Sequence, residues 1–227
     1  MHDNIRRLIK IAIALGDLRD EMLFVGGTVT SLYADDIGAP DIRPTDDVDC
    51  VTELASYGSY ADLESRLRNI GFKNDIESGI ICRWKYKEET VDIMPNDENI
   101  LGFSNKWYKS GVKNKFSYPI TPDVRIWIFP VCYFIAAKIV ALLARGGKDW
   151  RGSSDFEDIV FVLNNNKNIL QHFYNEENQD LKLFLRNWAK EVLKRYNHEE
   201  EIESVLANED YDRKDYVIRV LEAIAFT

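Results

Sequence analysis

Between Met22 and Asp35 the chain reads MLFVGGTVTSLYAD. The first four residues are an apolar run with the length of a short buried strand, Gly26 and Gly27 break it, and a short helix opens just after them, from Thr28. A strand, a glycine turn and a helix start in direct succession leave the chain little choice of path. They also put backbone N–H groups and the positive end of a helix dipole at the turn, where a phosphate can be held, with Thr28 or Ser31 adding a hydroxyl. The plainer use of the same glycines is to turn the chain. The turn is neither a dinucleotide fingerprint, since G-x-G-x-x-G is absent, nor a Walker loop, since no G-K-[ST] follows.

Next comes IGAPDIRP, from Ile37 to Pro44, a loop by its glycine and two prolines, which leads into DVDCVTE. There Asp47 and Asp49 alternate with Val48 and Cys50, so a strand sets both carboxylates on one face and the apolar pair on the other. Spacing alone says little, because Asp155/Glu157, Glu201/Glu203 and Asp210/Asp212 repeat it. The setting says more: two like charges about 7 Å or less apart on a strand of an apolar region are unfavourable unless cations neutralise them. Asp92 supplies a third carboxylate from TVDIM, where it points away from the apolar face of Val91 and Ile93. Three acids on two short strands of one sheet can converge on one or two magnesium ions. Asp35, Asp36, Asp41 and Asp46 read as loop or surface charges.

Residues 3–19 show helical spacing of apolar positions, and ADLESRLRNIGF is a helix stopped by Gly71. GIICRWKY and TVDIMP form a hairpin about KEE. After about residue 120 the pattern is helical: PVCYFIAAKIVALLARGG, the serine-capped SSDFEDIVFVLNNN, and three further segments, in which HEEEIE reads as a solvated helix face. The expected fold class is α+β, with a strand-containing domain over residues 1–120 and a helical domain over residues 121–227.

A net charge of -9 and a pI near 5.0 on 227 residues exclude a broad nucleic-acid-coating surface. The one basic stretch is NKWYKSGVKNKFSY, where Trp107, Tyr108 and Phe116 alternate with Lys106, Lys109, Lys113 and Lys115. Such a mixture can grip single-stranded nucleic acid, so an RNA acceptor such as tRNA stays open; the duller account is a solvated strand or loop with its aromatics packed inward. VRIWIFPVCYFIAAKIVALLA is interrupted by Arg125, Pro130 and Lys138, which favours a strand and a buried helix over a membrane span, and no signal peptide is expected. Three widely spaced cysteines and three histidines without zinc spacing set zinc chemistry aside and point to a reduced, cytoplasmic protein.

Taken together, the glycine turn that opens a helix, the strand with D-x-D and the later strand with one Asp between apolar residues resemble the nucleotidyltransferase superfamily typified by DNA polymerase beta. A closer similarity is to bacterial abortive-infection nucleotidyltransferases of the AbiEii/AbiGii toxin type. The turn GGTVTSLY is of that kind, and Arg43, Thr45, Asp47 and Asp49 follow the order Arg, one residue, Ser or Thr, one residue, D-x-D. Lys138 in an apolar helix, with Ala141 three positions on and then Arg145, precedes a D-x-x-D of Asp155 and Asp158 at the head of the next helix. The chain departs from that pattern at Ser154, where a basic residue is usual, and in the long acidic loop between Gly27 and Asp47. The likeness runs from about residue 20 to 164, and the last sixty or so residues match only as generic helices.

The resemblance implies a nucleotidyltransferase fold, a small mixed β-sheet flanked by helices, that moves a nucleoside monophosphate from a nucleoside triphosphate to RNA, a protein hydroxyl or a metabolite, with two Mg2+ or Mn2+ ions. Asp47 and Asp49 would bind both ions, and Asp92 would hold the ion on the acceptor side and help take the acceptor's proton. Gly26, Gly27 and Thr28 would cradle the triphosphate, with Arg43, Thr45, Lys138, Asp155 and Asp158 completing its binding and Lys138 offsetting its charge. An antitoxin protein partner, and no membrane, belong to the same expectation. Two other functions stand beside it: a small-molecule, antibiotic-type nucleotidyltransferase, and a non-catalytic subunit that binds a nucleotide or a partner. The acid triad weighs against the last, because carboxylates that repel one another have no evident use there. On the residues alone, Lys138 can snorkel to solvent, Arg43 can pair with a nearby Asp, and Asp155 and Asp158 can cap a helix.

Overall fold

The computed structural model describes residues 2–36, 39–54, 56–102, 104–206 and 211–226; Ile37 and Gly38 of the expected loop, and Asp210, lie outside them. The chain forms two compact units, Met1–Val29 with Arg43–Pro130, and Thr30–Ile42 with Val131–Thr227.

The first unit is built on a seven-stranded mixed sheet. Its strands are β1 (Met22–Val25), β2 (Asp47–Thr52), β3 (Lys73–Asn74), β4 (Arg83–Tyr86), β5 (Glu89–Pro95), β6 (Phe116–Pro119) and β7 (Arg125–Ile128), in the order β3-β4-β5-β2-β1-β7-β6. β1 is buried at every residue and pairs antiparallel with β2 and parallel with β7. β2 pairs parallel with β5, so the two acid-bearing strands are neighbours. A parallel pair needs a long connection, here supplied by α2 (Tyr57–Asn69), β3 and β4.

Helix α1 (Asp3–Leu15) buries Leu8, Ile11, Ala12 and Leu15 and fixes the approach to β2. The side chain of its buried Asn4 accepts the Thr45 N–H at 2.9 Å and donates to the Arg43 carbonyl at 3.1 Å, while Arg7 donates to the Thr45 carbonyl. Lys10 and Arg7 pair with Glu89 at 3.1 and 3.5 Å, which ties the start of β5 to the same helix. Two short helices, α3 (Glu98–Leu101) and α4 (Tyr108–Lys113), complete the unit.

The short helix expected after the glycines is present, and one other expectation changes. The segment after the glycines is a 3-10 helix, Gly27–Tyr33; β-branched Thr28, Val29 and Thr30 stand in a row there and weaken the preference for α geometry. The basic aromatic stretch is not a strand or loop throughout, since Tyr108–Lys113 is helical, and only part of it packs inward: Trp107 is buried, but Phe116 lies exposed on the edge strand β6.

The second unit contains α5 (Val131–Arg145), α6 (Ser154–Asn165), α7 (Ile169–Asn175), α8 (Gln179–Lys194), α9 (His198–Val205) and α10 (Tyr211–Phe226). The α+β fold class, a helix-flanked mixed sheet plus a helical bundle, is therefore observed. Ser153 caps α6 by accepting the Phe156 N–H at 3.4 Å. Among the described residues no helix is long and apolar enough to cross a membrane.

Acids that read as surface charges are partly structural in this unit. Glu201, in HEEEIE, is fully buried and accepts Arg195 at 2.7 and 2.6 Å and the Trp150 N–H at 3.0 Å, with the Arg195 guanidinium 3.9 Å from the Trp150 ring centre. Helical period turns one of several adjacent acids inward, and composition does not say which. Asp35 accepts the Lys167 N–H at 2.8 Å, and Asp36 pairs with Lys167 and Arg213, each at 3.3 Å, so these two acids anchor the chain where they stand.

Candidate active site

Strand register gathers the acids. In the sheet, Val25 lies opposite Asp49, Asp49 opposite Asp92, and Asp92 opposite Arg83, one continuous row across β1, β2, β5 and β4. Residues directly opposite share a face, and Asp47, two positions before Asp49, shares it as well. Val48 and Cys50 fill the other face and are fully buried. Oxygens of Asp47, Asp49 and Asp92 all fall within 4.8 Å of one another. That is a set of hard oxygen donors of the kind a divalent cation such as magnesium takes.

The row ends in a cation. Arg83 donates from Nε to Asp92 at 2.8 Å and from one terminal nitrogen to Asp92 at 2.7 Å and to Asp47 at 3.0 Å. Burial, then the Asp92 charge, push the Asp47 carboxyl up from its ordinary value, and Arg83 opposes them. The fork to Asp92 raises Arg83 further above an already high value, so it stays charged. Behind the acids, burial drives the Cys50 thiol well above its ordinary value and pushes Cys82 up to about 12, which disfavours the thiolate at both.

Gly26 follows Val25 with φ +72°, and a Cβ built there would lie 2.7 Å from Cγ and 2.9 Å from Cβ of Asp49. Only glycine fits between the turn and that carboxylate. Thr28 is fully buried and its hydroxyl has no hydrogen-bond partner among the described residues. The hydroxyls of Thr30 and Ser31 in the same 3-10 helix are enclosed and unsatisfied as well, so this stretch keeps three unused donors. The Thr45 hydroxyl donates to the Asp47 carbonyl at 3.2 Å, which squares off the start of β2, and Arg43 gives its carbonyl to Asn4.

The remaining expected residues lie in the second unit. Lys138, buried in α5, pairs with Asp155 at 3.2 Å and with Asp158 at 2.6 Å, and Arg145 also pairs with Asp155. Lys138 does not snorkel to solvent. The structure thus brings Gly26, Asp47, Asp49 and Asp92 together within the sheet unit, and Lys138, Asp155 and Asp158 together within the helical unit.

No family model and no curated protein matches this chain. Among solved structures, it is similar to an antigenic nucleotidyltransferase-like protein from Paracoccidioides brasiliensis, with a TM-score of 0.53 and 16% identity, over 90% of this chain and 94% of that one. The fold is nucleotidyltransferase-like. At that identity the likeness is one of fold, and within the nucleotidyltransferase-like sheet the three acids rest on their own geometry.

Sequence reading missed Arg83. A signal for it existed: a two-residue turn at Lys87–Glu88 pairs Tyr86 with Glu89, and counting back along the hairpin sets Arg83 against Asp92. Lys87, with φ 55°, has the left-handed backbone such a turn requires.

Proposed function

We propose that this chain is a metal-dependent nucleotidyltransferase, which moves a nucleoside monophosphate from a nucleoside triphosphate to an acceptor and releases pyrophosphate. The observation that carries this reading is the convergence of Asp47, Asp49 and Asp92 on one face of adjacent strands, beside a glycine that admits no side chain. Two Mg2+ or Mn2+ ions, when bound, would polarise the phosphate and acidify the attacking hydroxyl. Asp47 and Asp49 would hold both cations. Asp92 would hold the one on the acceptor side and accept the acceptor's proton. Gly26 would let a phosphate oxygen approach the backbone, and the Thr28 hydroxyl would gain an acceptor there.

Acceptors fitting the reading are RNA such as tRNA, a protein hydroxyl or a metabolite, and a toxin role with an antitoxin partner would suit the first two. A second reading has a specific observation behind it. Arg83 already neutralises two of the three acids, which gives a non-catalytic nucleotide-binding subunit a physical reason to keep them.

One experiment separates these readings. The protein is incubated with each α-labelled triphosphate, magnesium or manganese and a cell lysate, and the RNA, protein and small-molecule fractions are counted. Label that depends on Asp47 and Asp49 supports transfer and names the acceptor class. If an Asp47→Ala, Asp49→Ala variant labels as well as the wild type, the catalytic reading is wrong.

A further inference from the structure

Arg83 reaches Asp92 with two nitrogens and Asp47 with one of the same two. Cations compete for carboxylate oxygens, and a guanidinium fork is the side chain best shaped to occupy a pair of them. A divalent ion set between Asp47 and Asp92 would lie against that fixed positive charge. Two features make the fork removable. It comes from β4, a strand that carries no member of the triad, so its departure leaves the register of β2 and β5 intact. Arg83 also lines a cleft of about 490 Å³ together with Glu64, Arg68, Asn74, Asp75 and Ile80, which offers the guanidinium space; its two acids already pair, Glu64 with Arg68 and Asp75 with Lys85.

We propose that Arg83 is a displaceable counter-ion: in the substrate-free protein it closes the cation position between Asp47 and Asp92, and it swings off both carboxylates before a divalent ion is held there. The inference rests on the nucleotidyltransferase reading of the triad and deepens it. It makes loading of the acceptor-side cation conditional on a side-chain movement, and it names the residue that moves.

The test is Mn2+ binding, followed by electron paramagnetic resonance and calorimetry, to wild type, Arg83→Met, Arg83→Lys and Asp49→Asn proteins. Arg83→Met is expected to bind Mn2+ at least about tenfold more tightly than wild type, the scale on which residues around a metal tune its affinity. Arg83→Lys, which keeps the charge and loses the fork, is expected to fall between them. In chelator, Arg83→Met is expected to unfold at a lower temperature than wild type, with Mn2+ closing the gap. Equal or weaker Mn2+ binding by a folded Arg83→Met overturns the inference and leaves the metal reading standing; if that variant does not fold, unchanged binding by Arg83→Lys does the same. If neither wild type nor the Arg83 variants take up Mn2+ in a way that Asp49→Asn abolishes, the metal reading itself falls, and the inference with it.

Discussion

Each unit contains a cation shared between two carboxylates, and the two arrangements differ in their access to water. In the helical unit, Lys138 lies between Asp155 and Asp158 with side-chain exposures of 11%, 2% and 0%. On the sheet, Arg83 lies between Asp47 and Asp92 with exposures of 22%, 32% and 12%. A sealed ion pair cannot exchange its partner, because any intermediate leaves a desolvated charge alone. A pair at the edge of solvent can give up its cation to water or to another ion with a much smaller penalty. Chemically similar groups therefore differ in what they can release: the helical lysine is held fast, and the sheet set is fit for exchange.

The largest expected effect is on the sealed set. Lys138→Met leaves two buried carboxylates without their lysine and is expected to destabilise the protein by about 3 to 5 kcal/mol, measured by denaturant unfolding. A loss below about 1 kcal/mol would mean that water reaches this set and that the contrast is false.

Asp47→Asn should act in the opposite way. The proposed transfer activity is expected to fall by about 10² to 10³-fold, while the unfolding temperature stays close to that of wild type, because neutralising one acid also removes its repulsion with Asp92. A large loss of stability with activity retained would assign Asp47 a structural role.

Gly26→Ala probes the close approach of turn and triad. Positive φ and overlap with Asp49 together are expected to cost about 1 to 3 kcal/mol. A neutral result would show that the turn can move away from the carboxylate.

The smallest effect is one of pH, at Glu201. Burial alone would raise this carboxyl, but the Arg195 fork and the Trp150 N–H outweigh it and hold it below its ordinary 4.5. Its contribution to stability is therefore present above pH 4.5 and is lost as pH falls through the lower folded value. Glu201→Gln is expected to show a flatter fall in the denaturant midpoint than wild type between about pH 6 and pH 3. Identical slopes would remove Glu201 from the buried network.

What the sequence made legible follows from the range of the interactions involved. Alternation in DVDCV and TVDIM set the three acids on one face because strand geometry repeats every two residues, and the glycine turn and the Ser153 cap are equally local. Their convergence depends on β2 and β5 being parallel neighbours, a pairing between segments some forty residues apart. Neither strand specifies that pairing alone, so the residues gave the convergence as something one sheet could do and left the register open. Arg83 was within reach of hairpin counting. Lys138 was noticed, but whether it ends in solvent or between Asp155 and Asp158 depends on how α5 meets α6, which the periodicity of one helix does not contain. The inward turn of Glu201 is hidden for the same reason.

The buried Cys50 has a use of its own. It sits between Asp49 and Val51 on the sheet's far side, fully enclosed and with its thiol driven well above the ordinary value. Thiol reagents attack the thiolate, so a folded β2 should be almost inert to them. The rate at which Cys50 is labelled then becomes a clock for the opening of the strand that carries Asp47 and Asp49, and any ligand that fastens those two acids should slow it.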